Sequence, residues 1–462
     1  MAVDRPIHVV LAGKKEDTSL TFEDTTRVLR WFLAPKSPVV DVSYRNVVAS
    51  TFREDHHHLE ISYVSRKAKN SPYVINKLQG QVKESDRDVA GEWSRALTER
   101  AYEGARRNPR LKVLVNPKSG VGKAVKTFTA VIEPILRTAG CLLDVVHTTR
   151  SGHAHEIASQ IPLDTYDAVV IVSGDGLIHE VFNGFADHSK PRKAFAIPLA
   201  PIPAGSGNAL SLNLLGLKDG FDCVAATMNI LKGKRMNVDL FSFTQNGKRT
   251  ISFMTQSIGM VANIDVGTDH LRWMGDARFT YGFLRELVKM KPCPVELSYK
   301  ADTLDKKMMV EGLKERRDYP GKAKPPLQPT EDKDDRLPSL KYSNHDADGW
   351  TVHKKPLMDY MAFPVSLPDD GVIDIVARGV SARGNLLSST LDGWANGQEF
   401  WNENVTYIKA RAFRIKPLPA DTQTRLAIDG EEFPLEEFQV EVIPRLGTLL
   451  SPQDHYAIEF KV

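Results

Sequence analysis

Short apolar runs, each followed by a segment of helical period, recur through residues 108–237. "RLKVLVNP" (110–117), "CLLDVVHTT" (141–149), "YDAVVIVSGDG" (166–176) and "AFAIPLAPIPAG" (194–205) read as buried strands. "KAVKTFTAVIEPILRTAG" (123–140), "SGHAHEIASQI" (151–161, with Ser151 as cap) and "LIHEVFNGFAD" (177–187) read as the helices between them. Strand and helix in strict alternation predict a parallel sheet covered on both faces. Residues 1–107 follow another pattern. Alternating pieces such as "IHVVLAG", "VVDVSYRNVVAST" and "HLEISYVSR" predict a small antiparallel β-module, and "VAGEWSRALTERAYEGARR" (89–107) predicts the helix that links it onward. After residue 238 strand-like segments dominate, among them "VDLFSFTQ", "CPVELSYK", "TRLAIDGE" and "FQVEVIP", with helices near 277–289 and 384–395. The fold class is therefore α/β plus β: an N-terminal β-module (1–107), an α/β nucleotide-binding domain (108–237) and a mostly antiparallel β-sandwich domain (238–462). Residues 311–350, charged and proline-rich, cannot bury enough apolar surface to order themselves and predict a disordered insertion.

Composition narrows the function classes. A net charge of +3 over 462 residues gives no nucleic-acid signal, and basic clusters such as "ARRNPRLK" and "KGKR" read first as solvated surface. Cys141, Cys223 and Cys293 are odd in number and far apart, against a disulfide framework or a zinc site. No apolar run approaches the roughly 18 residues of a membrane span, and the N-terminal "MAVDRPIHVVLAG" is too interrupted for a signal peptide. The expectation is a cytoplasmic protein that meets intracellular membranes only at their surface.

The chemistry concentrates at strand ends. "NPKSGVGK" (116–123), "SGDG" (173–176) and "PAGSGNA" (203–209) each follow a strand of the parallel sheet, where open α/β sheets bind ligands. Glycine lets the backbone approach a ligand, and successive N–H groups ahead of a helix make an anion cradle. None of these loops fits a Walker A or a dinucleotide fingerprint, yet three at one rim point to a nucleotide polyphosphate.

The trio "NPKSGVGK", "SGDGLIHEVFNG" and "PAGSGNAL", with "AIDGEEF" (427–433) near the C-terminus, resembles the catalytic domain shared by diacylglycerol kinases and sphingosine kinases. "GMVANIDVGTDHLRWMGDARFT" (259–280) is similar to the substrate segment of the sphingoid long-chain-base kinases. The resemblance implies transfer of the ATP γ-phosphate to the primary hydroxyl of a sphingoid base, with Mg2+ arriving on the nucleotide. It implies Asp175 as catalytic base, flanked by Gly174 and Gly176. It implies nucleotide contacts from Asn116, Pro117, Lys118, Ser119, Gly120, Gly122 and Lys123, from Thr148, Arg150 and Gly152, from Ser173 and Glu180, and from Gly205, Ser206 and Gly207. Arg272 and Arg278 are similar to phosphate-facing arginines, and Asp429, Gly430 and Glu431 to a hairpin closing the nucleotide site. Asp265 resembles the aspartate that meets the substrate amine, a charge-assisted contact worth about 1.5–3 kcal/mol. Diacylglycerol lacks that cation and a ceramide amide is neutral.

Burying each CH₂ of a lipid tail contributes about 0.8 kcal/mol, so a long apolar pocket is expected. "FMTQSIGMV" (253–261), "FTYGFLRELVKM" (279–290) and "LLSSTLDGW" (386–394) are its candidate walls. One stretch departs from the family pattern: "GWTVHKKPLMDYMAFP" (349–364) is shorter than the small-residue strand usual there. The N-terminal module lies outside the resemblance, and a PH-like fold, as in ceramide kinase relatives, is one reading of it. Peripheral membrane attachment and a homodimer are further expectations, and no nucleic-acid partner is expected. A diacylglycerol or ceramide kinase is the near alternative, and a non-catalytic lipid-binding homologue the distant one.

Overall fold

The computed structural model describes residues 5–12, 17–32, 39–275, 277–289, 293–318, 335–342, 349–353, 358–359, 363, 365–378, 398–418, 424–453 and 455–457. The N-terminal unit is one antiparallel sheet of seven strands. Their order is Val39–Ser43, Val28–Phe32, Asp17–Glu23, Ile7–Leu11, Tyr73–Val82, His58–Arg66 and Val47–Arg53. Side chains alternate across it, so Ile7, Val9 and Leu11 all face the same core. The helix Arg87–Ala101 lays Ala90, Trp93, Leu97 and Ala101 on that core, and Trp93 stacks on Phe22 with centroids 4.6 Å apart. This helix ends before the expected Arg107. Polar contacts fasten the unit to its neighbour: Arg66 pairs with Asp219, the Tyr73 N–H donates to Asp222 at 2.7 Å, and buried Lys232 donates to the Ala101 carbonyl at 2.7 Å.

The central sheet is parallel as predicted, in the order Leu142–His147, Arg110–Val115, Ala168–Ser173, Leu199–Pro203. The strand Ala168–Ser173 is buried at every position, which explains its unbroken apolar run. Val169 and Ile171 face Ile178, Val181, Phe182 and Phe185 of the following helix. Ala168, Val170 and Val172 face Phe128, Ile132 and Ile135 on the opposite side. The helical run after Lys118 widens into a π-turn over Phe128–Ile132, next to Pro134, which has no N–H to give.

The boundary expected at 237/238 falls inside a strand. Lys234–Gln245 pairs antiparallel along its length with Phe438–Ser451, from Lys234↔Ser451 to Gln245↔Phe438. Leu449 of that last strand also pairs parallel with Leu199. One sheet therefore runs from the α/β unit into the C-terminal unit, because the chain's final strand returns to the parallel edge. There, Val295–Thr303, Ile373–Arg378 and Val405–Pro417 form an antiparallel layer. The small sheet Gln256–Ile258, Leu426–Ile428, Glu431–Phe433 packs on it through Leu426 and Ile428, giving the expected sandwich.

The expected disordered insertion is corrected at both ends. Lys306–Asp318 is a helix that buries Met309, Val310 and Leu313 against Phe400 and Tyr407. Farther on, Arg249 donates to the Pro338 carbonyl, and Glu441 accepts the N–H groups of Lys341 and Tyr342. High charge hid an apolar stripe at helical spacing. Residues 319–334 and 343–348, the helix expected near 384–395 and the wall expected over 386–394 lie outside the described residues. The shortened stretch contributes two brief strands, Thr351–His353 and Met358–Asp359. No helix among the described residues is long and apolar enough to cross a membrane.

Candidate active site

Parallel strands deliver their C-terminal loops to one rim, and here the loops interlock. Ala204 donates its N–H to the Ser173 carbonyl, and Asp175 donates its own to the Gly207 carbonyl. Gly174 and Gly205 lie backbone against backbone: a Cβ on Gly205 would sit 2.4 Å from the Gly174 Cα, and one on Gly174 would sit 2.5 Å from the Gly207 carbonyl oxygen. Only glycine fits at both places. Asn208 closes the "GSGN" turn by bonding both the N–H and the carbonyl of Gly205, with Ser206 and Gly207 half-buried between them. In the first loop the Asn116 side chain accepts the Lys118 N–H at 3.0 Å, and the Ser119 and Ser173 hydroxyls meet at 2.7 Å. Pro117 is half-buried there, Gly120 and Gly122 have positive φ, and Lys118 and Lys123 are exposed.

The third turn differs from expectation in its cap. Gly152, not Ser151, stands at the N-terminus of the helix His153–Ser159, and the Ala154 N–H there goes to the Glu180 carboxylate at 3.1 Å. Thr148 is buried at the adjacent strand end, bonded to the Val115 carbonyl through its N–H. Arg150 turns to Glu156, with both carboxylate oxygens at 2.7 Å.

Asp175 opens the helix Asp175–Ala186, but its carboxylate serves a different helix. It accepts the Ala209 N–H at 2.7 Å and the Leu210 N–H at 3.1 Å, the first turn of Ala209–Asp219. Burial raises its pKa to about 6 against the pull of those two donors, helped by the charges of Asp429 and Asp265. A carboxylate has about four lone-pair directions, so two remain for a ligand.

The hairpin from the C-terminal unit reaches over this point. Asp429 and Gly430, both at positive φ, form the two-residue turn between Leu426–Ile428 and Glu431–Phe433. The Glu431 carboxylate lies 2.9 Å from where a Cβ on Gly176 would be. Asp429 itself points inward and is fully enclosed. Its Oδ1 accepts from Ser252 Oγ, Met254 N and Thr255 N, and its Oδ2 from Phe253 N and His179 Nδ1. Burial alone would discharge His179, but the Asp429 carboxylate outweighs it and the pKa is raised. Sequence reasoning missed His179, Asn183, Asn208 and Ser252. The legible signal for the first two was polar residues four apart on an otherwise apolar helix.

Asp265 ends the short helix Met260–Asp265, with one oxygen 3.5 Å from where a Cβ on Gly430 would be. Asp175, Asp265, Asp429 and Glu431 are thus gathered from distant parts of the chain. Arg278 is buried and faces these acids rather than the glycine loops: it donates to the Asp265 carbonyl and to Asp269 Oδ1, each at 3.1 Å. The Arg272 side chain lies outside the described residues.

Behind Asp175 opens a cavity of about 400 Å³. Ala209 and Leu210, whose N–H groups hold Asp175, are part of its wall, and Phe241, Phe253, Ile258, Val295, Ile373 and Phe413 continue it. Of the three predicted wall segments, 253–261 contributes, whereas 279–289 does not.

Residues 110–243 match the family of the diacylglycerol kinase catalytic domain. The chain is 34% identical over 408 residues to sphingoid long chain base kinase 4 of Schizosaccharomyces pombe, covering 85% of this chain and 84% of that one. It is 28% identical to sphingoid long chain base kinase 5 of Saccharomyces cerevisiae, covering 78% of this chain and 62% of that relative's length. A solved structure titled as a putative diacylglycerol kinase from Bacillus anthracis aligns over 76% of this chain and 97% of that chain, at 20% identity and a TM-score of 0.49.

Proposed function

The chain belongs to the sphingoid long-chain-base kinases, and from that premise we propose that it transfers the γ-phosphate of ATP to the primary hydroxyl of a sphingoid base. The hydroxyl oxygen attacks the γ-phosphorus, a new P–O bond forms, the bond to the bridging β–γ oxygen breaks, and ADP leaves. The hydroxyl proton passes to the Asp175 carboxylate, which must then be ionised. The observation that carries this reading is the double position of Ala209 and Leu210. They hold Asp175 at the glycine-loop rim, and they wall the apolar cavity. A lipid whose tail fills that cavity brings its head to the carboxylate facing the nucleotide loops.

The loops from Asn116 to Lys123, Gly152, and Gly205 to Gly207 supply backbone N–H groups to the phosphates in this reading. Asp265 takes the substrate ammonium. Arg278 orients Asp265, with one guanidinium nitrogen 3.7 Å from its carboxylate. Mg2+, carried in on the triphosphate, would neutralise charge between the β- and γ-phosphates. Asp429, saturated by five donors, has no lone pair to offer it, and the described residues hold no cluster of three metal-ligating side chains. Asp175 and Glu431 are the carboxylates near enough to the rim to add a ligand.

The helix Ala277–Lys289 supports peripheral attachment to a membrane. It buries Arg278, Gly282 and Glu286 and exposes Tyr281, Leu284 and Val288 on the other face, with Trp273 exposed nearby. That stripe adjoins the Asp265 segment, where a lipid would enter.

Incubation with Mg-ATP and, in parallel, sphingosine, ceramide and diacylglycerol in mixed micelles tests the reading. Phosphorylation of the free amine alone is the expected result. Product from ceramide or diacylglycerol moves the substrate class, and no product from any of them removes the kinase reading.

A further inference from the structure

The cavity wall carries a polar side chain whose orientation is fixed from behind. Along Gln256–Ile258, Gln256 and Ile258 line the cavity, while Ser257 between them is buried on the other side of the strand. Gln256 Nε2 donates to Ser252 Oγ at 2.6 Å, and Ser252 Oγ donates to Asp429 Oδ1 at 2.8 Å. The direction of this chain is forced. A carboxylate only accepts, so the single hydroxyl proton of Ser252 goes to Asp429, and the hydroxyl can receive only an N–H from the glutamine. The amide end facing Ser252 is therefore the nitrogen, and Oε1 turns away from it. Oε1 has no hydrogen-bond partner among the described residues.

The charged groups Asp239, Asp374 and Arg316 on the same wall are occupied, and Asn213, the other amide there, is tied through its Nδ2 to the Ala209 carbonyl on the wall beside Asp175. Asp239 accepts the N–H groups of Gly371 and Arg445, Asp374 accepts from Lys409 and Tyr407, and Arg316 donates to Asp369. Gln256 also stands at the head end of the cavity. Its neighbour Thr255 accepts the Asp429 N–H, and Asp429 precedes Gly430, which adjoins Asp265. A plain hydrocarbon tail would cover an oriented amide and leave its oxygen unpaired, which costs free energy. A hydroxyl on the chain at that depth would satisfy it.

We infer that Gln256 is a specificity residue that accepts a hydrogen bond from a hydroxyl on the substrate chain just beyond the 2-amino-1,3-diol head that all sphingoid bases share. The enzyme then favours chain-hydroxylated sphingoid bases over their plain saturated counterparts. This rests on the sphingoid-base kinase reading and adds the feature of the chain that is read. The same hydrogen-bond chain leads from Gln256 through Ser252 to the hairpin over Gly176, so the lipid wall and the nucleotide rim share one anchor.

The test compares kcat/KM for phytosphingosine and dihydrosphingosine, which differ by one chain hydroxyl, in the wild type and in Gln256→Met and Gln256→Leu. The wild type should favour phytosphingosine. Each variant should lose about five- to tenfold on phytosphingosine, the value of one hydrogen bond, and stay within about twofold on dihydrosphingosine. Equal losses on both bases overturn the proposal. So does a wild type that turns over the two bases equally, a result that needs no variant to fold. A wild type that phosphorylates neither base fails at the kinase reading itself, and a control for ATP binding separates that failure from the loss of selectivity alone.

Discussion

Asp175→Asn and Asp175→Ala together separate anchoring from chemistry. The carboxylate ties down the Ala209 and Leu210 N–H groups at a buried helix start. The two N–H groups go to different oxygens, so asparagine keeps one of them and turns its NH2 toward the other, whereas alanine loses both. Replacing a cap by alanine costs about 0.5–2 kcal/mol, with roughly 1–3 kcal/mol more where buried donors lose their partner. At about 2–4 °C per kcal/mol for a domain of this size, Asp175→Ala should lower Tm by several degrees and Asp175→Asn by less. Loss of a general base, by contrast, should cost about 10²–10⁴ in kcat and fall on both variants alike. The pKa adds a second axis. It is raised from 3.8 to about 6 chiefly by burial, so the contribution of Asp175 to stability is fully present below about 3.8 and is lost as pH rises through about 6. Holding the ionised form at pH 8 then costs roughly 3 kcal/mol, which asparagine avoids. The Tm deficit of Asp175→Asn relative to the wild type should therefore be larger at pH 4 than at pH 8, while wild-type turnover falls as pH drops through about 6. Scanning calorimetry and single-substrate kinetics with sphingosine read both axes. An asparagine variant that keeps kcat within about threefold refutes the base, whatever its Tm.

Asp265→Asn should raise KM for sphingosine by about tenfold or more with kcat little changed, since it removes one charge-assisted contact to the amine; an unchanged KM places the amine elsewhere. Gly205→Ala drives a Cβ to 2.4 Å from Gly174 and should abolish measurable ATP binding in titration calorimetry. Gly152→Ala, whose Cβ meets nothing within 4 Å but whose φ is +78°, should cost about 1–2 kcal/mol of strain and keep ATP binding; equal effects would mean the Gly174–Gly205 contact does not shape the nucleotide loops. His179→Gln tests the Asp429 pair: with the folded pKa raised, its stabilisation is full below the ordinary histidine value and lost as pH rises through the folded one. The Tm gap between wild type and variant should be wider at pH 6 than at pH 8.5, and a constant gap refutes the pairing.

Much of this site was legible as loops and little of it as anchors, for a physical reason. A glycine loop at a strand end writes itself into consecutive residues, so the turns around Gly120, Gly174 and Gly205 and the Asp429–Gly430 hairpin could be read directly. Anchors pair residues far apart in the chain. His179 finds Asp429 across 250 positions, and Asn183 clamps both the N–H and the carbonyl of Ile251 across 68. The same blindness placed a boundary inside Lys234–Gln245, whose partner strand comes from the end of the chain, and hid the helix Lys306–Asp318 under its charges. In retrospect the helix Asp175–Ala186 carried the missing information. Its apolar residues Ile178, Val181, Phe182 and Phe185 face the sheet, so polar residues at 175, 179 and 183, each four apart, fall on another stripe. Each meets something different: Asp175 the start of helix Ala209–Asp219, His179 the hairpin, Asn183 the strand Lys248–Ser252. One turn away, Glu180 holds the start of helix His153–Ser159. A single rigid helix therefore fixes the nucleotide rim, the lipid wall and the closing hairpin relative to one another. Phosphoryl transfer is mostly positioning, so substitutions at His179 and Asn183, which touch neither substrate in this arrangement, should lower kcat as well as Tm.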